Sequence, residues 1–361
     1  MTRGTIDLTD VSIAGRTIGP GHAPYVIAEL SANHNGDLNA ALAMIDMAYA
    51  RGADAVKIQT YRPDTITLDA GTPDFIIEGG LWHGRRLYDL YAEAHTPWDW
   101  HPALFERARA AGIPLFSSPF DTTAVDLLEE LGTPAYKIAS FEVVDLPLIR
   151  YAASTGKPMV ISTGMADMEE ISDAVAAARD GGCREIVLLH CVSGYPAPAR
   201  DYNLATLPDM ARRFGVPVGL SDHTLDNTTA IASVALGACV IEKHVTFDRG
   251  GGGPDDSFSL EPQELEALCV SARTAWEAFG RVDYGRKSSE RGNVQFRRSL
   301  YFVRDLPAGA VIPHDAVRSV RPGHGLPPKM QDAVVGARLA RDVAAATPVQ
   351  AEDLVMSSNE H

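Results

Sequence analysis

Eight short apolar runs in this chain end on residues whose types can do chemistry, and they come at regular intervals. Glu29 closes a run over 25–30, Lys57 and Gln59 fall within 55–60, and Ser117 and Ser118 end 114–118. Lys137 and Ser140 mark the fourth run, 135–139; Ser162 and Thr163 close 158–162; and His190, Ser193 and Tyr195 follow from 185–190. Ser221, Asp222 and His223 follow 217–220, and Lys243 and His244 end 239–243. Any strand turns polar on reaching water, so a single Ser or Thr says little. Lys57 and Lys137 say more, because an ammonium inside an apolar run is costly unless an anion meets it. That anion is either Glu29 or a substrate phosphate. His223 and His244 end neighbouring runs, where two imidazoles are either hydrogen-bonded core histidines or two ligands of an open metal site. Lysines and hydroxyls converging on one mouth argue for a small phosphorylated or carboxylated substrate. Gly250 to Gly253, followed by Pro254-Asp255-Asp256, is either a mobile loop that brings a carboxylate over that mouth or a plain connection.

Positioning these residues requires strands buried on both faces, with long crossovers between them. Each apolar run is followed by a stretch of helical periodicity. After Asp37, a good N-cap, Leu38, Leu42, Ile45 and Tyr49 recur at intervals of three or four until Gly52 stops the helix. The same spacing predicts helices over 100–111, 122–131, 146–154, 168–180, 203–214, 227–236 and 262–279. Eight such units, with no GxGxxG turn after the first strand, predict an α/β fold of the (β/α)8 TIM-barrel type, whose active face lies at the C-terminal ends of the strands. The polar residues fall at those ends. One insertion, 62–96, interrupts the rhythm with its own aromatic cluster of Phe75, Trp82, Tyr88 and Tyr91. The predicted organisation is a catalytic barrel over 1–280, a polar linker over 281–298, and a small β-rich domain over 299–361, where strand-like pieces alternate with Pro/Gly turns.

The sequence has 361 residues with 47 acidic and 32 basic side chains, a formal charge of −15. That balance excludes nucleic acid and anionic membrane surfaces as primary partners. No run of eighteen apolar residues occurs, and no basic segment leads into an apolar one at the start, so the expected location is cytoplasmic. The four cysteines, Cys183, Cys191, Cys239 and Cys269, lack CxxC spacing and read as reduced thiols. Cys191 beside His190 has the types of a nucleophile and base, but a strand cysteine is ordinarily a small buried hydrophobe.

Several ordered motifs resemble the sialic acid synthase family: Ile27-Ala28-Glu29-Leu30-Ser31-Ala32-Asn33-His34-Asn35-Gly36, Val56-Lys57-Ile58-Gln59-Thr60, Ser118-Pro119-Phe120, Tyr136-Lys137-Ile138-Ala139-Ser140, Ser162-Thr163-Gly164-Met165, Gly219-Leu220-Ser221-Asp222-His223-Thr224 and Ile241-Glu242-Lys243-His244. The tail, with Val320-Arg321-Pro322-Gly323-His324-Gly325, resembles that family's antifreeze-like (SAF) domain. Within the family, the stretch from Pro73 to Trp82, then Leu87-Tyr88-Asp89-Leu90-Tyr91 and Thr96-Pro97-Trp98, resembles the pseudaminic acid synthase branch.

The resemblance implies an enzyme that joins phosphoenolpyruvate to an open-chain amino sugar, releasing phosphate and making a nine-carbon 2-keto acid. In that branch the sugar is 2,4-diacetamido-2,4,6-trideoxy-L-altrose. Motif by motif, Lys57, Lys137, Ser140, Ser162 and Ser221 would line the phosphoenolpyruvate site. His223 and His244 would bind a divalent metal, manganese ahead of magnesium or cobalt. Glu29 would contact the sugar or a water on the metal as the leading acid/base, with Glu142 second; the structural alternative for Glu29 is pairing with Lys57. Gln59, Tyr195 and Asp255 match positions facing the acceptor, and Arg321 would reach it from a neighbouring chain, implying a domain-swapped homodimer. Ser193 replaces an Asn of the sialic acid synthases, and their loop in the region 62–96 is rewritten, which speaks against N-acetylmannosamine as acceptor. The rivals are an N-acetylneuraminate or legionaminate synthase of the same mechanism and a non-catalytic carbohydrate-binding barrel.

Overall fold

The computed structural model describes residues 8–355. The chain forms two compact units, Met1–Arg281 and Val282–His361. The first opens with a hairpin of β1 (Val11–Ile13) and β2 (Arg16–Ile18) and continues into β3 (Tyr25–Glu29), β4 (Ala55–Thr60), β5 (Leu115–Pro119), β6 (Tyr136–Ile138), β7 (Met159–Ser162), β8 (Ile186–Cys191), β9 (Val218–Ser221) and β10 (Ala238–His244). β3 to β10 pair in parallel and close into an eight-stranded barrel, β10 lying beside both β9 and β3. A helix follows each strand, so the TIM-barrel prediction holds, with strand ends within two residues of those expected.

Alternation within the strands separates two cores. Tyr25, Ile27, Ala55, Phe116, Val160 and Val240 fill the barrel interior, while their neighbours Val26, Ala28, Val56, Leu115, Ile161 and Ile241 pack outward among the helices. Val11, Ile13 and Ile18 join the interior cluster, so the hairpin plugs the end of the barrel opposite the polar strand ends. Sequence reasoning missed this hairpin. Its strands are only three residues long, and its turn, Ala14-Gly15, places an alanine at φ 48° where Asn or Asp would have signalled the left-handed conformation.

Asp37 accepts from the N–H of Asn39 at the start of the helix Leu38–Ala50, as its sequence context predicts. The insertion is structured. It carries the short helix Pro63–Ile66 and the helix Leu87–Ala94, with a bridge between Ile76 and Arg86. Tyr61 anchors its root, edge-on to Tyr91 at 5.8 Å and to Phe120 at 5.0 Å.

In the second unit β11 (Ser299–Phe302) pairs antiparallel with β12 (Val317–Val320) over a core of Leu300, Phe302, Ile312, Val334, Leu339 and Val349. The stretch 281–298, read as a linker, is not featureless. It holds 3-10 turns over Ser288–Phe296, at whose start Glu290 Oε2 accepts from the Lys287 N–H at 2.9 Å. None of the four cysteines forms a disulfide, and no described helix is long and apolar enough to cross a membrane.

Gly219 is a point of close approach in the barrel wall: a Cβ there would lie 2.4 Å from the Val240 carbonyl oxygen and 2.7 Å from Leu189 Cδ2. Gly219→Ala is expected to destabilise the chain by about 3 kcal/mol in urea unfolding, because backbone on the adjoining strand cannot yield. Gly21→Ala, with nothing within 4 Å of the added methyl, stays within about 0.5 kcal/mol of the parent.

Candidate active site at the barrel mouth

At the C-terminal ends of the strands the inward positions change from apolar to charged. Glu29 on β3, Lys57 on β4, Lys137 on β6 and Glu242 on β10 face one another, all buried. Lys57 Nζ lies 2.7 Å from Glu29 Oε2 and 3.6 Å from Glu242 Oε1, and Lys137 Nζ donates to the same Glu242 oxygen at 3.1 Å. Ser221 Oγ donates to that oxygen too, at 3.2 Å. Burial opposes charge on every member, and neighbours decide the outcome. For Glu242 the two lysines outweigh burial and hold its carboxyl at about 2. Burial wins at Glu29, whose pKa rises above the ordinary value despite Lys57. It wins again at Lys137, whose pKa is lowered, whereas Glu242 and Glu29 together carry that of Lys57 upward.

The anion that meets Lys57 is thus Glu29, as one reading of the sequence has it, joined by Glu242, a motif residue with no role predicted from sequence. Its signal was present: in Ile241-Glu242-Lys243-His244 alternation sends Glu242 and His244 inward and Lys243 outward. Lys243 has a separate task. Its buried Nζ donates to Asp222 Oδ2 at 2.9 Å, to the Thr224 carbonyl at 2.7 Å and to the Asp226 carbonyl at 2.8 Å. Those bonds staple the loop carrying His223 onto the strand carrying His244.

The two imidazoles stand together, ring centroids 5.5 Å apart. His223 Nδ1 donates to the Val192 carbonyl at 2.9 Å, which fixes the tautomer and leaves Nε2 as the ring's lone-pair nitrogen. Burial pushes His223 down to about 4, and burial followed by the charge of His223 and Lys57 pushes His244 well below the ordinary value. Both are neutral at pH 7. His244 Nδ1 is buried without a hydrogen-bond partner and lies 3.8 Å from Asp255 Oδ2. Among the described residues no group of three or more His, Cys, Asp or Glu side chains converges as a metal site. Two neutral imidazoles with a nitrogen to spare fit a divalent cation whose other ligands are water and substrate oxygens.

Above the charged layer opens a cavity of about 390 Å³, lined on its barrel side by Ser31, Gln59, Ser140, Glu142, Tyr195, His244 and Asp255. Gln59 Nε2 donates to Glu29 Oε1 and to Ser31 Oγ, both at 3.0 Å, and Ser31 Oγ donates onward to Asp255. Burial pushes Asp255 up to about 6 and Glu142 up to about 7, and Glu142 Oε2 has no hydrogen-bond partner. Ser193 Oγ donates to Ser140 Oγ at 2.9 Å. Tyr195 packs on His223 with centroids 4.4 Å apart. Beneath lie Ser162, whose buried hydroxyl has no partner, and Ser221. The glycine-rich loop is pinned: Asp256 accepts from the N–H of Gly253 at 2.8 Å, from Thr246 Oγ1 at 2.6 Å and from Asn35 Nδ2 at 3.2 Å.

The structure therefore brings together every predicted site residue of the first unit. Arg321 is exposed in the second, directly after β12. His190 serves structure, bonded to the Tyr202 carbonyl, and burial raises the pKa of Cys191, leaving it a thiol rather than a nucleophilic thiolate. A wider concavity of about 530 Å³ in the second unit includes Asp305 and Asp342, but both accept from backbone N–H groups, of Ala345 and Ala308.

Comparison with known proteins gives two family matches, the NeuB family over residues 44–284 and the SAF domain over 297–355. A pseudaminic acid synthase of Helicobacter pylori is 40% identical over 336 residues, 92% of this chain and 98% of that protein. One of Campylobacter jejuni subsp. jejuni serotype O:2 is 42% identical over 88% of this chain and 93% of its own length. The solved structure of an N-acetylneuraminic acid synthetase from Leptospira borgpetersenii, in complex with citrate, is 31% identical with a TM-score of 0.71, covering 80% of this chain and 95% of that one.

Glu142 makes the site measurable by pH. With a folded-state pKa near 7, above its unfolded value, it contributes stability that is present below about pH 4.5 and lost as pH rises through 7. Glu142→Gln removes that dependence. In denaturant unfolding the variant is expected to gain on the parent by about 2–3 kcal/mol between pH 4.5 and 8, with no further gain above pH 8.

Proposed function

Because the chain belongs to the NeuB family, we propose that it is a phosphoenolpyruvate-dependent synthase making pseudaminic acid from 2,4-diacetamido-2,4,6-trideoxy-L-altrose. One observation carries the reading: two buried lysines share a carboxylate beside a cavity lined by one member, His244, of a neutral imidazole pair. Carbon 3 of the enol attacks the sugar aldehyde, forming the new C–C bond and leaving a cationic carbon 2. Water adds to that carbon and loses a proton. The resulting hemiketal phosphate collapses to the 2-keto acid as its C–O bond to phosphate breaks.

Each part of the site has a task in that sequence. Lys57 and Lys137, with the hydroxyls of Ser140, Ser162 and Ser221, hold the phosphate and carboxylate of phosphoenolpyruvate. His223 and His244 hold a divalent cation, manganese in our reading; when bound it withdraws electron density from the aldehyde oxygen. Glu142, with one oxygen free and a pKa near 7, takes the proton from the attacking water. Glu29, the leading acid/base expected from sequence, is fixed by Lys57 and Gln59 with its pKa raised by burial; in this reading it orients the acceptor and comes second to Glu142 in proton transfer. Gln59, Tyr195 and Asp255 hydrogen-bond the sugar.

Arg321 completes the acceptor site from a second copy, so the working form is a domain-swapped homodimer. Phe141 and Val144, exposed on the loop after β6, and Met165 and Met168, exposed on the loop after β7 and at the start of the helix Met168–Asp180, supply apolar surface for that copy. A cytoplasmic setting accompanies a substrate drawn from central carbon metabolism.

Phosphate release from phosphoenolpyruvate, measured against a panel of acceptors, tests the reading. The diacetamido-altrose is expected to give the highest kcat/KM, and faster release with N-acetylmannosamine or the legionaminate precursor would overturn the choice of acceptor. Chelation with EDTA should abolish turnover and Mn²⁺ restore it. His244→Ala is expected to lower kcat on the order of 10²–10³-fold with circular dichroism unchanged, and parental rates from that variant would remove His244 from the mechanism.

A further inference from the structure

The cavity has two unlike halves. The barrel supplies its polar half. The insertion supplies the other, and every insertion residue that lines the cavity is apolar or aromatic: Ile66, Ile77, Leu87, Leu90 and Ala94, with Trp82 and Tyr91. None of the insertion's charged residues lines it. Five of them pair with one another elsewhere, Arg86 with Asp69 and Asp89, and Arg85 with Glu93. Trp82 has a single donor, already given to the Pro254 carbonyl at 3.2 Å, which ties the insertion to the glycine-rich loop over the mouth. Its ring packs on Tyr195, centroids 5.8 Å apart. A cavity of about 390 Å³ suits one sugar-sized ligand.

A ligand whose reactive carbonyl meets His244 must send its far end toward the insertion. A hydroxyl carried there loses water and has only the Tyr91 phenol on the insertion side as a partner, whereas a methyl group leaves water for an apolar wall. Resting on the synthase reading above, we infer that Ile66, Ile77, Leu87, Leu90 and Ala94 form an apolar subsite selecting an acceptor whose terminal carbon is a methyl. The chemical class is a 6-deoxy amino sugar, and the corresponding hydroxymethyl sugar is disfavoured. Discrimination at the terminal carbon thus resides in the insertion, apart from the barrel residues that hold phosphate and metal and hydrogen-bond the rest of the sugar.

The test compares kcat/KM for the diacetamido-trideoxy-altrose and for its 6-hydroxy counterpart, in the full-length parent, Leu87→Gln and Ile77→Thr. Thermal melts confirm that each variant is folded, and Ile77, on a half-exposed turn, is the milder change. The parent is expected to prefer the deoxy sugar on the order of 10²-fold. Each variant should narrow that ratio about tenfold while leaving the KM for phosphoenolpyruvate unaltered. A parental preference that both folded variants retain overturns the subsite, as does a parental ratio near one. Absence of condensation with either sugar in the parent overturns the synthase reading, and the subsite with it.

Discussion

Two ammonium groups inside a closed parallel barrel set the terms for the rest of this structure. Taking an ion that far from water costs several kcal/mol even after relaxation, and only close, well-aligned counter-charges offset it. Strand register supplies them. Glu29 is the in-register partner of Lys57 across β3 and β4, and of His244 across β3 and β10, while Glu242 partners Ser221 across β9 and β10. A slip of one residue in any of these pairings would turn a charged side chain outward among the helices, so the apolar alternation that fills the barrel also enforces the charged layer above it.

The same low-dielectric setting explains why neighbouring groups of one type differ. Glu242 touches both lysines and stays ionised; Glu142, with one oxygen unpaired, is pushed near neutrality; Asp255 lies between. Histidines under this regime stay neutral, which is the form that offers a lone pair to a cation. Lys243 shows a third solution, a cation facing away from the cavity whose three short hydrogen bonds hold the His223 loop against β10. Charge in this barrel mouth is therefore arranged by contact rather than by the net charge of the chain, which is strongly negative.

What the sequence reveals and what it hides follow from length and direction. The eight barrel strands were legible because each is a buried run with a polar end, and the helices because their periodicity spans two or more turns. Lys57, Lys137 and the histidines stood out as polar groups in apolar surroundings. Glu242 did not: flanked by Lys243, it looks like half of a surface ion pair, and only alternation shows that the two side chains point to opposite faces of the wall. The β1–β2 hairpin was hidden by three-residue strands, and the turns over Ser288–Phe296 by a composition that reads as solvated chain. Trp82 belonged to a recognised aromatic cluster, but its bond to Pro254 spans 172 residues and no local pattern encodes it.

That long-range bond bears on how such a barrel divides its labour. The charged layer is locked by register on both sides, so changing one member there leaves a buried partner without its counter-charge. The insertion is held differently: Tyr61 packs at its root, Trp82 reaches the glycine-rich loop, and Arg85 and Arg86 pair with acidic residues that do not line the cavity. Substituting one apolar lining residue for another alters the shape of the mouth without disturbing any ion pair below it. Chemistry and acceptor choice consequently sit on elements with different tolerances. The barrel strands hold what every turnover requires, and the insertion is the part free to be rewritten for a different sugar.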